Sequence, residues 1–195
     1  IDGHDIRDLS FNSLRQATAL VTQDPFLFCV YHRDEFPEGN GEMGVDRKHL
    51  AGRSIGNDFT IKDGWRMYHG QSIPGFPFHP HRGFETITVV RKGLVDHSDS
   101  MGAAGRYGDG DVQWMTAGSG IMHQEMPTGN ARGQMHRFQL WANLPGSLKM
   151  TNPRYQDVQG KEISEITDDD GTKVKVITGE FWGKKGPVDG IAADP

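Results

Sequence analysis

The chain contains a single cysteine, Cys29, in 195 residues. That excludes an intrachain disulfide framework and fits a reducing compartment. It also lacks any apolar run near the roughly 18 residues of a membrane span. Basic residues cluster no further than pairs such as Lys184-Lys185, and 21 Lys+Arg against 26 Asp+Glu leave a net charge of -5. Direct nucleic-acid binding, which depends on neutralising phosphates, is therefore not expected. No basic segment leading into an apolar one opens the chain, so no signal peptide is read and a cytoplasmic location is expected. The first residue is Ile1 rather than methionine, so it is not read as the native start. Equally absent are a Gly-x-Ser-x-Gly elbow, a phosphate loop and a dinucleotide fingerprint on a strand-to-helix turn. A weak helical period in Phe11, Leu14, Thr18 and Val21 has no comparable successor after residue 24.

What the chain has instead is glycine. Its 26 glycines and 10 prolines put glycine at almost twice its usual share of about 7%. From Pro74 onward, short β-branched and aromatic stretches alternate with Gly, Pro or Asp punctuation. Strands are predicted at Gly83 to Val90, Leu94 to His97, Val112 to Met115, Ile121 to Met126 and Gln134 to Asn143. A last pair is expected around Val158 to Glu162 and Lys173 to Thr178, with Asp168-Asp169-Asp170-Gly171 as a solvated hairpin tip. Phe26 to Tyr31 reads as a buried strand, with Cys29 as a small buried hydrophobe. Between Glu35 and Gly70 a loop-rich insertion carries seven of the glycines and prolines that break strands, the kind of segment that covers or binds something. The pattern predicts a mostly β fold, an antiparallel sandwich or barrel.

Nine histidines are present, and two stretches raise some of them above background. In Phe78-His79-Pro80-His81-Arg82-Gly83-Phe84-Glu85, an extended backbone turns His79, His81 and Glu85 to one side, with Ile87 and Val89 continuing that face. In Gly120-Ile121-Met122-His123-Gln124-Glu125, His123 and Glu125 share a face with Ile121. A lone His-x-His carries little information. Two i, i+2 pairs on apolar strand faces beside turns are a better pointer. They offer three imidazoles and a carboxylate, a borderline set for a first-row divalent ion with open positions, iron(II) foremost, with Mn, Ni, Cu or Zn as alternatives. Glu85 is open between ligand, acceptor for an imidazole N–H, and base. His97 and His136 lie on strands and are read as structural. His4, His32, His49 and His69 fall in loops or near the terminus and are given no role.

His79 to Thr86, Gly110 to Gly118 and Gly120 to Pro127 closely resemble the signature blocks of the pirin family of the cupin superfamily. Asp24-Pro25-Phe26-Leu27, Leu140 to Pro145, Lys149-Met150 and Pro153 to Gln156 resemble further pirin blocks. The resemblance implies a bicupin, two tandem double-stranded β-helix (jelly-roll) barrels with one mononuclear iron in the first. Block by block, it implies His79, His81, His123 and Glu125 as metal ligands. Glu85 corresponds to a glutamate that other cupins use as a ligand and pirins leave out of the ligand set.

The same resemblance implies two functions. One is quercetin 2,3-dioxygenase-type opening of a flavonol-like phenol, with Glu125 either staying a ligand or detaching to act as a base. The other is a non-catalytic, iron-dependent redox sensor that binds a transcription factor or a metabolic enzyme. The expected organisation is an N-terminal extension at 1–23, a pirin-type cupin domain at 24–182 and a linker at 183–195 towards a second barrel. The 35–70 loop is longer than in the shortest pirins, which affects the site entrance.

Overall fold

The computed structural model describes residues 27–38, 40, 45–54, 59–67, 75–130 and 132–191. The helical period at Phe11 to Val21, and His4 and His69, lie outside these residues. The main strands are β1 (Leu27–Glu35), β2 (Phe76–His81), β3 (Phe84–Lys92), β4 (Leu94–Asp99), β5 (Ala104–Tyr107), β6 (Val112–Thr116), β7 (Ile121–Thr128), β8 (Gln134–Asn143) and β9 (Arg154–Val158). Two hairpins follow, β10 (Ser164–Thr167) with β11 (Lys173–Val176) and β12 (Glu180–Phe181) with β13 (Lys184–Lys185). One sheet has the order β1-β8-β3-β6-β9 and the other β2-β7-β4-β5, and every strand pairing is antiparallel. Among the described residues no helix is long and apolar enough to cross a membrane. The mostly β class expected from the glycine-punctuated pattern is the one adopted.

Period-two alternation divides each strand between two environments. On β7 the buried positions are Ile121, His123, Glu125 and Pro127, facing into the space between the sheets. On β8 the inward set is Met135, Arg137 and Gln139, while Leu140 and Ala142 pack outward onto Ile87, Val112, Trp114, Val158, Ile163 and Val188. This outer cluster needs a cover, since each large apolar side chain left wet forfeits about 1.5–3 kcal/mol. The cover comes from the C-terminal segment. Val188 sits in the cluster, a bridge links Thr178 to Val188, and the Ile191 N–H donates to Glu85 Oε1 at 3.3 Å. The stretch expected as a linker from 183 thus carries strand and core contacts as far as Ile191.

Three local expectations change. Cys29 is exposed, because β1 is an edge strand and its apolar run is buried on only one face. The same strand continues past Tyr31 to Glu35, so His32 is a buried strand residue opposite Arg137 rather than a loop histidine. Asp34 anchors that extension through a two-pronged ion pair with Arg66 at 3.0 and 2.8 Å. Val158 to Glu162 is the end of β9 and a 3-10 turn at Gly160–Glu162, and the partner of β11 is β10. The acidic run does form the tip between those two strands, with Asp168 accepting from the backbone of Asp170 and Thr172.

Within the 35–70 region, Val45, Trp65 and Met67 form a small core with Phe36 and Leu50 against it. The Arg53 guanidinium lies over the Trp65 ring, 3.7 Å from its centroid, and donates to the His49 and Trp65 carbonyls. The described parts of the insertion are thus packed rather than loose.

The corner from β6 into β7 sets where His123 and Glu125 point. Gly118 has φ +49°, and a Cβ there would fall on the carbonyl oxygen of Thr151. Its own carbonyl accepts from the Gly83 N–H at 2.8 Å. Gly118→Ala should therefore lower stability by about 1–3 kcal/mol in a urea titration. Gly146→Ala, with no positive φ and open space around its Cα, should stay within about 0.5 kcal/mol. Equal midpoints for the two would contradict this account of the corner.

Candidate metal centre

Strand pairing brings the two predicted histidine pairs together. His79 on β2 lies opposite His123 on β7, and His81 lies opposite Ile121. A register shift between Phe76 and His79 sets this alignment. The ligand nitrogens of His79, His81 and His123 all lie within 4.8 Å of one another. His79 Nε2 and His123 Nε2 face each other at 3.0 Å. His81 and His123 are buried and His79 is half-buried at the mouth.

For His79 and His123 the second ring nitrogen has a hydrogen bond that fixes the tautomer. His79 Nδ1 donates to the Pro77 carbonyl at 2.8 Å, which leaves its Nε2 lone pair to the cluster. For His123 the orientation passes through two further residues. His97 Nε2 donates to Asp99 Oδ2 at 3.0 Å, so His97 Nδ1 is an acceptor; it takes the Gln113 amide at 3.0 Å and His123 Nδ1–H at 3.4 Å. His123 Nε2 is then also a free lone pair. His81 Nε2 is buried with no hydrogen-bond partner. A buried nitrogen without a partner, beside two imidazole nitrogens that face each other at 3.0 Å, is what a cation would satisfy, and three imidazoles fit a borderline divalent ion.

Burial keeps the His81 and His123 rings neutral. Burial is the main cause of the lowering for both, taking His123 to about 3 and His81 to about 4, with the neighbouring imidazoles adding to it against the opposing pull of Glu125. Burial, then Arg137 and Arg66, takes His32 to about 2.

Glu125 is buried on the same strand, two residues beyond His123, and is not part of the 4.8 Å cluster. Its Oε1 accepts from Tyr107 at 3.1 Å and Thr88 at 3.4 Å, and its Oε2 from Gln139 at 2.8 Å and Arg137 at 3.3 Å. Burial alone would raise this carboxyl. Arg137, His123 and the Gln139 and Tyr107 hydrogen bonds outweigh it and hold the pKa at about 2. Trp141 Nε1 donates to Gln139 Oε1 at 3.1 Å, which fixes the amide so that its NH₂ points at Glu125.

Glu85 is on the other side of the sheet. The chain turns at Gly83, φ +77°, so β2 and β3 belong to different sheets and the shared face read through residues 79–89 is broken. Thr86 and Thr88 face the interior, whereas Glu85 follows Ile87 outward and accepts from Thr116 Oγ1 at 2.6 Å. His97, read as structural, is satisfied but touches His123. His136 packs outward, edge-on to Tyr31 with centroids 5.1 Å apart. Sequence reasoning passed over Thr88, Asp99, Tyr107, Gln113, Arg137 and Gln139. The signal available for Gln113, Arg137 and Gln139 was a polar residue at every second place of an otherwise apolar strand.

Two antiparallel sheets closed around an inward cluster of imidazoles define a cupin barrel. The chain belongs to the pirin family, whose model, Pirin, matches residues 10–142. It is 47% identical to a pirin-like protein of Arabidopsis thaliana over 142 residues, 70% of this chain and 46% of that one. It is 49% identical to a pirin-like protein of Caulobacter vibrioides over 123 residues, 63% of this chain and 44% of that one. The crystal structure of a quercetin 2,3-dioxygenase from Acinetobacter baumannii superposes with a TM-score of 0.55 at 37% identity, covering 69% of this chain and 45% of that one. The chain therefore spans less than half the length of these relatives. The family match begins at residue 10, inside the stretch read as an N-terminal extension.

The lowered imidazole pKa values make a stability prediction. An unfolded histidine takes a proton near 6.5, while His123 and His81 stay neutral down to about 3 and about 4. Below pH 6.5 the unfolded state therefore holds more protons, and stability must fall as pH falls, by on the order of 1.4 kcal/mol per pH unit for each such ring. Glu125 adds to the loss only below its ordinary 4.5, down to about 2. The urea midpoint of metal-free protein should drop steadily between pH 6.5 and 4. A flat profile over that range would show that the rings are not held neutral by burial.

Proposed function

We propose that this chain is the metal-holding barrel of a dioxygenase that opens a flavonol-like phenol. The observation that carries the reading is the three-imidazole cluster, with the His79 and His123 lone pairs directed inward and one buried His81 nitrogen lacking a partner. His79, His81 and His123 would hold the ion, and Glu125 is the proposed carboxylate ligand. Iron(II) is the proposed cation, with Mn, Ni, Cu or Zn as the alternatives this N/O set admits. Bound there, it would supply a positive charge for a phenolate oxygen and electron transfer towards O₂.

The chain's own residues supply orientation and exclusion of water. Phe84 and Trp141 stack with centroids 4.9 Å apart, and both meet His81 edge-on, at 5.0 and 5.5 Å. That pair gives a flat aromatic ring a wall to lie against beside the imidazoles. Glu125 is the one proposed group able to take a phenolic proton. Held near 2 by Arg137, it has little drive to do so at neutral pH, which favours the ligand role over the base role. The similarity to the Acinetobacter quercetin 2,3-dioxygenase supports the substrate class.

Iron-loaded protein should consume O₂ when quercetin is added, and His123→Ala should lose both the bound metal and the uptake above buffer. Equal oxygen uptake by the two proteins would overturn the enzymatic reading.

A further inference from the structure

Glu125 faces two competing demands. The proposed metal set, on which this inference rests, needs a free carboxylate oxygen. The barrel interior needs the same oxygens for another purpose. Arg137 is 1% exposed and donates from Nη1 to Glu125 Oε2 at 3.3 Å. Its Nε is buried without a hydrogen-bond partner, and its other neighbour on that side is the Phe76 ring, 5.2 Å from the guanidinium carbon. Among the described residues the other buried carboxylates are engaged elsewhere. Asp34 pairs with Arg66, Asp99 with His97, and Glu85 faces the opposite side of the sheet. Glu125 is thus the counter-ion that makes a buried guanidinium tolerable, and withdrawing it would leave an uncompensated charge in a low-dielectric interior.

We propose that Arg137 is a positioning residue that competes with the cation for the Glu125 carboxylate and so sets the strength of the fourth ligand. The cation is taken up first by the three imidazoles. Glu125 joins only to the extent that it gives up Arg137, and the affinity of the site is lowered by that exchange. Gln139, Thr88 and Tyr107 are neutral donors and follow the carboxylate at lower cost. The guanidinium starts from a buried position beside the Phe76 ring, on a backbone that β8 fixes opposite His32 and Val90, so following the carboxylate costs it that packing.

The test uses Co(II) as the probe, read by binding affinity and by its visible d–d absorption, which reports ligand number and type. Arg137→Gln should bind Co(II) about 10–100-fold more tightly than wild type, the range by which groups hydrogen-bonded to ligands tune metal sites. Its absorption should change to that of a site with a full carboxylate ligand. Arg137→Lys, which keeps the charge, should behave as wild type. A folded Arg137→Gln with unchanged affinity and spectrum, or with weaker binding, overturns the proposal. Should Arg137→Gln not fold, Glu125→Gln decides: a loss below about tenfold fits a carboxylate already held by Arg137, and any larger loss contradicts it. If neither wild type nor any variant takes up Co(II), the metal reading itself fails and the proposal with it. Binding by wild type with indifferent variants removes this proposal alone.

Discussion

A carboxylate buried between two sheets must be compensated from both of them, and Glu125 is compensated in that way. Thr88, Arg137 and Gln139 reach it from β3 and β8 in one sheet, and Tyr107 reaches it from β5 in the other. Each of those donors is inward-facing by strand parity, so a one-residue slip in any of the strands would carry its donor to the outside. The polar interior is therefore a constraint on register as much as a site. It ties the sheets together across the space between them.

The same requirement extends to the imidazoles. A neutral histidine has one donor and one acceptor nitrogen, and a ligand must present the acceptor. Asp99 satisfies that condition for His123 without touching it, because its hydrogen bond to His97 passes the tautomer along the chain. Tyr155 stacks on His97 at 4.5 Å with planes 20° apart, which keeps that ring from turning. The cluster is thus prearranged by groups that would never touch a bound ion, and its inward lone pairs follow from carboxylate and carbonyl acceptors placed behind the rings.

Much of this was legible in the residues. The i, i+2 spacing of His79 with His81 and of His123 with Glu125 placed each pair on one face, and Gln134 to Asn143 is β8 to the residue. The failures have a common cause. Period two predicts relative facing within a strand, but not which side is the interior, and not where a strand ends. Gly83 breaks the stretch carrying His79 and Glu85 into strands of different sheets, so Glu85, Ile87 and Val89 face away from the histidines. Cys29 was misplaced because an apolar run looks the same at an edge as in the middle of a sheet. Arg137 and Gln139 carried a period-two signal, yet their partner Glu125 is 12 and 14 residues away in sequence, and only the β8–β3 pairing and the closure of the barrel bring them together.

A buried ion pair is weak evidence for stability, since apolar replacements of similar volume often match or exceed it. The interior of this barrel holds such a pair with one guanidinium nitrogen still unpartnered, together with an unpartnered imidazole nitrogen and an unpartnered Thr86 hydroxyl. Hydrophobic packing surrounds that polar centre on three sides. Outside the larger sheet, Trp114 and its neighbours are covered by the C-terminal segment. Between the sheets, Val90, Val95, Tyr107 and Met135 form one apolar cluster, and Met115, Ala117 and Ile121 form another. The burial that keeps the barrel shut is thus gained around the ionised carboxylate rather than from its ion pair.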